Sequence, residues 1–377
     1  MFKKRIIEVI DTLEQGGAQQ FLFDLLVELK NDFEFLVLSF ESGPYFERFK
    51  KAGIKIKILD LAPAKIGLKY PNNLKKVKNW LSSNFDQFDP HIIQTHLLGA
   101  DVWARLIASK DIKVIQTIHS AESFRGNLFN KKGLKTWFFD RYLEKKTKLI
   151  VAVSLAAKQT LLKQGINEKK IKVIPTAIKI RNFVPDVSAK KRIRKEMKCK
   201  EEDLIIGSVG RLDKVKGFDT LIQAFSKISV KYKNTFLYII GEGKERKYLE
   251  QLIANSNLKN KVKLLGQKQN ISDFLNAFDF FVSSSYWEGL PLAVLEAMAN
   301  KKTIIATACG GTKEVIVDEK TGLLARIGDA RSLEQKIDEA IKNPSLAKIL
   351  SQNAFLKVRE YDIGNIAKKY KQIYNLL

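Results

Sequence analysis

The chain has 377 residues, 45% hydrophobic and 28% charged, and its 66 basic against 41 acidic side chains give a net charge of +25. That length exceeds one typical core and suits two domains, and the composition excludes disordered, collagen-like and coiled-coil classes. Two cysteines, Cys199 and Cys309, exclude a disulfide framework and a four-thiolate zinc site, and they fit a reducing cytoplasm.

Strand and helix signals alternate along the chain. Short apolar, β-branched runs at 6–10, 35–40, 54–59, 92–95, 114–118, 150–153 and 173–174 read as strands covered on both faces. Amphipathic stretches at 19–30, 71–82 and 155–164 lie between them. The polar, lysine-rich passage 181–203 reads as a linker, after which strands restart at 205–209, 236–240, 262–264, 280–283, 303–307 and 322–325. This alternation predicts a doubly wound α/β architecture, used twice. No apolar run reaches the roughly 18–20 residues of a membrane span. Glu8 and Asp11 interrupt the only candidate signal-peptide core, so a cytoplasmic protein is expected.

In doubly wound folds ligands meet the loops at the carboxyl ends of strands, and four such loops carry signal. The first, LEQGGAQQ, puts Gly16 and Gly17 at a helix start, where backbone amides can approach an anion; a plain turn explains the pair equally well. The second, GRLDKVKGFDTLI, projects Arg211 and Lys216 beside Gly210, two cations before a helix that suit a diphosphate or a solvated loop. The third, IIGEGKER, ends a strand on Gly241 and Gly243 and reads as ligand approach or a strand-to-helix turn. The fourth, SSSYWEGLPLAVLEAMA, holds Glu288 in the loop, Pro291 at a helix start and Glu296 within the helix. Glu296 interrupts an apolar run, so its carboxylate needs a partner, either ligand hydroxyls or a buried salt bridge.

The charge does not decide the function. The excess is spread, +14 over 1–182 and +11 over the rest, and it is carried by 53 lysines and 13 arginines. A protein reading nucleic-acid bases leans on arginine forks, whereas dispersed lysine reads as solvated surface or as attraction to anionic lipid.

The segments EGLPLAVLEAMA, GRLDKVKG, GEGKER and GGTKEVI (310–316), with QGGAQQ, QTIHS around His119, VAVS and VIP, resemble the nucleotide-sugar glycosyltransferases of the GT-B fold, family 4. The resemblance implies two Rossmann-like domains facing across a cleft. Residues 1–182 would form the acceptor-side domain and 183–359 the nucleotide-sugar domain, with a last helix at about 360–377 packing back on the first. It implies that Arg211 and Lys216 hold the donor diphosphate and that Glu288 binds hydroxyls of the donor sugar. Glu296 would bind the nucleotide ribose. Gly210, Gly241, Gly289 and the amides around Leu290 and Leu292 would complete the donor site. Gly16 and Gly17 would approach the diphosphate, and His119 would stand near the reacting end of the sugar. His91 and His96 read first as ordinary strand-end histidines.

The family retains anomeric configuration. Asp-x-Asp, the metal-holding motif of the other main glycosyltransferase fold, is absent from this chain, so a metal-independent reaction without a cofactor is expected. The donor would be a UDP- or GDP-linked sugar and the acceptor a glycan or lipid-linked glycan, in surface polysaccharide or glycoconjugate assembly. Where the family often has arginine after the glycine pair, and Asn-Gly after the proline, this chain has Gln19, Gln20, Thr176 and Ala177. The basic aromatic segment 123–148 reads either as a surface for anionic membrane, peripheral on the inner face, or as a helix filling the core. Two rival readings are a nucleotide-sugar epimerase on the same twin-domain fold and a basic nucleic-acid-binding protein; no recognised motif supports a nucleic-acid partner.

Overall fold

The computed structural model describes residues 3–62, 71–119 and 142–377. The chain forms two compact units, Met1–Ala177 with Ile363–Leu377, and Ile178–Asp362.

In the first unit seven parallel strands run β1 (Arg5–Thr12), β2 (Glu34–Glu41), β3 (Lys55–Ile58), β4 (Ile92–His96), β5 (Lys113–Ile118), β6 (Thr147–Ala152) and β7 (Ile171–Val173). Their order across the sheet is β3-β2-β1-β4-β5-β6-β7. The period of two sends Ile7, Val9, Leu36 and Ile93 to one face, under helices Pro71–Phe88 and Leu98–Ile107. Ile6, Ile10, Ile92 and Ile115 go to the other, under helices Gly17–Leu29 and Ile363–Leu376. Phe21, Tyr370 and Tyr374 lock that second face, with ring centroids 5.9 Å apart from Phe21 to Tyr370 and from Tyr370 to Tyr374.

The second unit has six parallel strands, β8 (Leu204–Val209), β9 (Thr235–Ile240), β10 (Val262–Leu264), β11 (Phe280–Ser283), β12 (Thr303–Thr307) and β13 (Leu323–Ala325). They are ordered β10-β9-β8-β11-β12-β13. Each sheet therefore reverses direction between its first and fourth strands, at β1/β4 and β8/β11. In an open α/β sheet the crevice beyond such a reversal is where ligands bind.

The passage 181–203 is more than a linker. It contains helix Val187–Glu196, capped by Asp186, whose Oδ1 accepts from the amides of Ser188 and Ala189 at 2.8 and 3.2 Å. Its lysines face water while Ala189 and Ile193 are buried, and Arg194 donates to the carbonyl of Ala277 at 3.0 Å and pairs with Asp279 at 2.5 Å. A high lysine count hid an amphipathic helix.

Candidate active site

In the second unit the two loops beyond the β8/β11 reversal are tied to each other. Lys216 Nζ lies 2.6 Å from Glu288 Oε1, and Ser285 Oγ donates to that same oxygen at 2.6 Å. The pair is largely shielded, with the lysine side chain 25% and the glutamate 12% exposed. Both contacts fall on Oε1, so Oε2 is the oxygen with capacity for a ligand hydroxyl. Gly217 lets the loops close: its φ is +59°, and a Cβ there would stand 2.2 Å from the carbonyl oxygen of Ser284. Ser284 Oγ and the Tyr286 amide then bond to the backbone oxygens of Lys216 and Val215, at 2.9 and 2.8 Å.

Arg211 leaves the end of β8 with 71% of its side chain exposed, held loosely by Asp213 at 3.3 Å. That exposure gives it freedom to meet a solvent-borne anion. Gly241, at φ +146°, brings the β9 end against β8, since any Cβ would stand 1.9 Å from the carbonyl oxygen of Gly210. Gly289 and Leu290 are buried beneath the loop, whose Glu288 carbonyl accepts from the Gly311 amide at 3.0 Å. Helix Leu292–Ala299 starts behind Pro291 with no side chain capping its amides, so its N-terminus can receive a negative group. Glu296 is half-buried. It shares the more open side of that helix with Leu292 and Ala293, and the apolar stripe is Val294, Leu295, Ala297 and Met298. The linear run of apolar letters disguised this separation, which the 3.6-residue period creates.

The first unit treats its reversal differently. The N-terminus of helix Leu98–Ile107, beyond β4, is already filled: Asp11 accepts from the amides of Gly99, at 3.1 Å, and Ala100. Burial pushes the Asp11 carboxyl up, against those two amides that hold it down. Gly16 caps helix Gly17–Leu29 without a side-chain bond, and Gln19 turns back to donate to the carbonyl of Thr12 at 3.1 Å. Gln20 accepts from Tyr45 at 2.7 Å and from Arg48 at 3.1 Å, so the position where the family often has arginine is a local polar clasp.

His119 stands just past β5, and its Nε2 lies 2.9 Å from His96 Nδ1. His96 Nε2 lies 2.8 Å from Glu8 Oε2, and both of these residues are fully buried. Burial lowers His96 to about 3, lowers His119 well below its ordinary value, and raises Glu8 well above the usual carboxylate range. Burial therefore favours the neutral form of each.

Residues 189–357 match the family model of glycosyl transferases group 1, and residues 15–181 match that of glycosyltransferase family 4. An uncharacterised glycosyltransferase of Methanocaldococcus jannaschii is 31% identical over 344 residues, covering 90% of this chain and 88% of its own. The chain is a glycosyltransferase of family 4.

A Campylobacter jejuni relative of this glycosyltransferase is the N,N'-diacetylbacillosaminyl-diphospho-undecaprenol alpha-1,3-N-acetylgalactosaminyltransferase. It is 25% identical over 379 residues and covers 97% of this chain and 98% of its own. The crystal structure of HepE of Anabaena with UDP and glucose matches with a TM-score of 0.87 at 20% identity, covering 99% of this chain and 100% of that one. WaaG, a glycosyltransferase involved in lipopolysaccharide biosynthesis, matches at 0.77 and 16% identity, over 98% and 99% of the two chains. At such identities the likeness is one of fold, the GT-B fold.

In the glycosyltransferase, then, Arg211, Lys216, Gly210, Gly241, Glu288, Gly289, Leu290, Leu292 and Glu296 belong to the second unit, and Gly16, Gly17 and His119 to the first. Among the described residues no group of three or more histidine, cysteine or acidic side chains could hold a metal ion, and no helix is long and apolar enough to cross a membrane. The basic aromatic segment 123–148, read as a membrane surface or a core helix, lies outside the described residues up to 141; beyond it Tyr142 is exposed and Leu143 buried. Sequence reasoning missed Ser285, Glu8 and His96. The signal for Glu8 was available: an acidic residue in the middle of the apolar strand IIEVI needs a buried partner.

Proposed function

We propose that this glycosyltransferase moves a sugar, with retention of anomeric configuration and without a metal ion, from a nucleotide-diphosphate sugar to a glycan or lipid-linked glycan. The carrying observation is the Lys216–Glu288 pair beside the exposed Arg211 and the uncapped helix Leu292–Ala299, all beyond the β8/β11 reversal. Departure of a diphosphate leaves negative charge at the loop, and fixed cations with helix amides stabilise such charge without reorganising. Glu288 holds the Lys216 ammonium with one oxygen and takes a sugar hydroxyl with the other. Glu296, on the open side of the helix, takes the ribose hydroxyls. By family resemblance His119 meets the sugar near its reacting carbon, and Gly16 and Gly17 bring backbone amides to the diphosphate. UDP- and GDP-sugars are the donors to try. The Anabaena structure with UDP and the Campylobacter enzyme named for a diphospho-undecaprenol acceptor support those choices.

The test is a thermal-shift screen over UDP-, GDP- and ADP-sugars, because a ligand of the folded state raises Tm. Mass analysis of products with and without a lipid-linked glycan follows. An epimerised donor formed without acceptor would replace this reading by an epimerase. Product NMR reports the anomeric configuration, and inversion would overturn retention. Turnover should survive excess chelator; its loss, with rescue by magnesium, would overturn metal independence.

A further inference from the structure

Behind His119 the first unit buries a continuous polar chain. From the surface inward it runs His119, His96, Glu8, Tyr374, Gln94 and Thr117. Register explains the assembly: Glu8 on β1 is paired with Gln94 on β4, and His96 on β4 with Thr117 on β5. All four lie on the sheet face covered by helix Ile363–Leu376, which supplies Tyr374.

The direction of every proton in this chain can be worked out. Gln94 Nε2 donates to Thr117 Oγ1 at 2.9 Å, so Gln94 Oε1 is the atom facing Tyr374, and an amide oxygen can only accept. The Tyr374 hydroxyl is 2.7 Å from that oxygen and 3.2 Å from Glu8 Oε1. It has one proton, and Gln94 takes it. The contact with Glu8 is then a hydrogen bond only if Glu8 supplies the proton, as a carboxylic acid protonated on Oε1. Glu8 Oε2 accepts from His96 Nε2–H, so His96 Nδ1 bears a lone pair and His119 Nε2–H donates to it. One ring nitrogen of a histidine sets the state of the other. His119 Nδ1 is therefore left unprotonated. Phe21, edge-on to the His119 ring at 6.1 Å, holds its plane.

We propose that Glu8, as a neutral carboxylic acid, and His96 are positioning residues that fix His119 as its Nε2–H tautomer, so that Nδ1 is offered as a hydrogen-bond acceptor to a sugar hydroxyl. The tautomer rests on this geometry together with the burial that keeps His96 neutral; its use rests on the role given to His119 above. A lone pair is repelled by a phosphate oxygen and attracted by a hydroxyl, so His119 discriminates the sugar from the diphosphate.

Nitrogen NMR of the full-length, ligand-free chain labelled at histidine reads the tautomers directly, with three histidines to assign. His91→Gln and His119→Asn supply the assignments. Both His96 and His119 are expected neutral with the proton on Nε2. Glu8→Gln carries the donor and acceptor of the protonated carboxyl, so it should keep both tautomers and hold kcat within about threefold, whereas Glu8→Leu should mix the His119 tautomers and lower kcat about tenfold or more with a small change in KM. Turnover is measured with the nucleotide sugar that the thermal-shift screen returns. An imidazolium or an Nδ1–H tautomer at His119 in the wild type overturns the proposal, as does a Glu8→Gln variant that matches Glu8→Leu. Should Glu8→Leu fail to fold, the wild-type and Glu8→Gln spectra decide. If the tautomers are as stated but His119→Ala keeps its turnover, the assignment of His119 to the sugar falls and the relay stands.

Discussion

The two sheets reverse at equivalent places, β1/β4 and β8/β11, and put opposite chemistry there. The second unit keeps its groups charged: Arg211 is exposed, and Lys216 and Glu288 form a largely shielded ion pair between two loops. The first unit buries its titratable groups, with Glu8 and His96 at zero exposure, where burial favours their neutral forms. Its helix terminus at Gly99 is already occupied by Asp11, whereas the terminus at Leu292 has no capping side chain. A shared fold thus carries an uncapped helix end with cations in one unit, and a filled helix end with a buried polar chain in the other. The difference comes from solvation: exposed charge can act on a diphosphate, while a buried network holds its geometry only when every proton has a partner.

The largest effect should come from removing the displayed charge. Lys216→Ala and Arg211→Ala should each cost about 2–4 kcal/mol of transition-state stabilisation, read in kcat/KM for the donor, with Tm little changed in Arg211→Ala. Lys216→Ala also leaves the largely shielded Glu288 carboxylate with Ser285 but without its cation, so of the two variants it should lower Tm more. Values within threefold of wild type in both variants would erase the contrast, because the second unit would then carry no working charge.

A finer cut separates the two glutamates of that unit. Glu296→Ala should weaken binding of free UDP or GDP by about 1.5–3 kcal/mol, the worth of a charged hydrogen bond, in calorimetry. Glu288→Ala should leave nucleoside diphosphate affinity nearly unchanged and depress sugar transfer. Equal losses in both would show that Glu288 acts on the diphosphate through Lys216, which it touches at 2.6 Å, rather than on the sugar.

The loop half of this contrast was legible in the sequence, and of the buried half only Glu8 left a signal there. Glycine beside cation, as in Gly210–Arg211, or loop glutamate before a proline-started helix, as in Glu288 to Leu292, is a local pattern that survives in linear text. The alternating apolar runs likewise revealed every strand of both sheets, because burial on two faces forces a composition that loops lack. The chain through Glu8, Gln94, His96, Thr117, His119 and Tyr374 draws on four elements and spans most of the sequence. Only strand register and the return of the last helix bring it together. His96 looked ordinary because nothing near it in the chain is its partner.

The last test reads the buried half through stability alone. His96 and His119 ordinarily titrate near 6.5 but stay neutral in the fold, His96 down to about 3. Their contribution is fully present above pH 6.5 and is lost as pH falls. Glu8, raised from an ordinary value of 4.5, works the other way: its contribution is full below 4.5 and is lost as pH rises toward its folded value. With the folded values of all three outside these limits, the unfolded chain holds two histidine protons more and one glutamate proton fewer than the folded one between pH 4.5 and 6.5. Stability should therefore climb by about 1.4 kcal/mol per pH unit up to 6.5, then decline as Glu8 alone remains unbalanced. Glu8→Gln cannot release a proton, so its climb should steepen to about 2.7 kcal/mol per unit and its decline above 6.5 should flatten. Denaturant unfolding of wild type and Glu8→Gln across pH 4.5 to about 8 measures both slopes, and their difference cancels every other titrating group. Parallel profiles would mean that Glu8 carries the same charge folded as unfolded, and the first unit would then hold an ion pair like the second rather than a neutral relay.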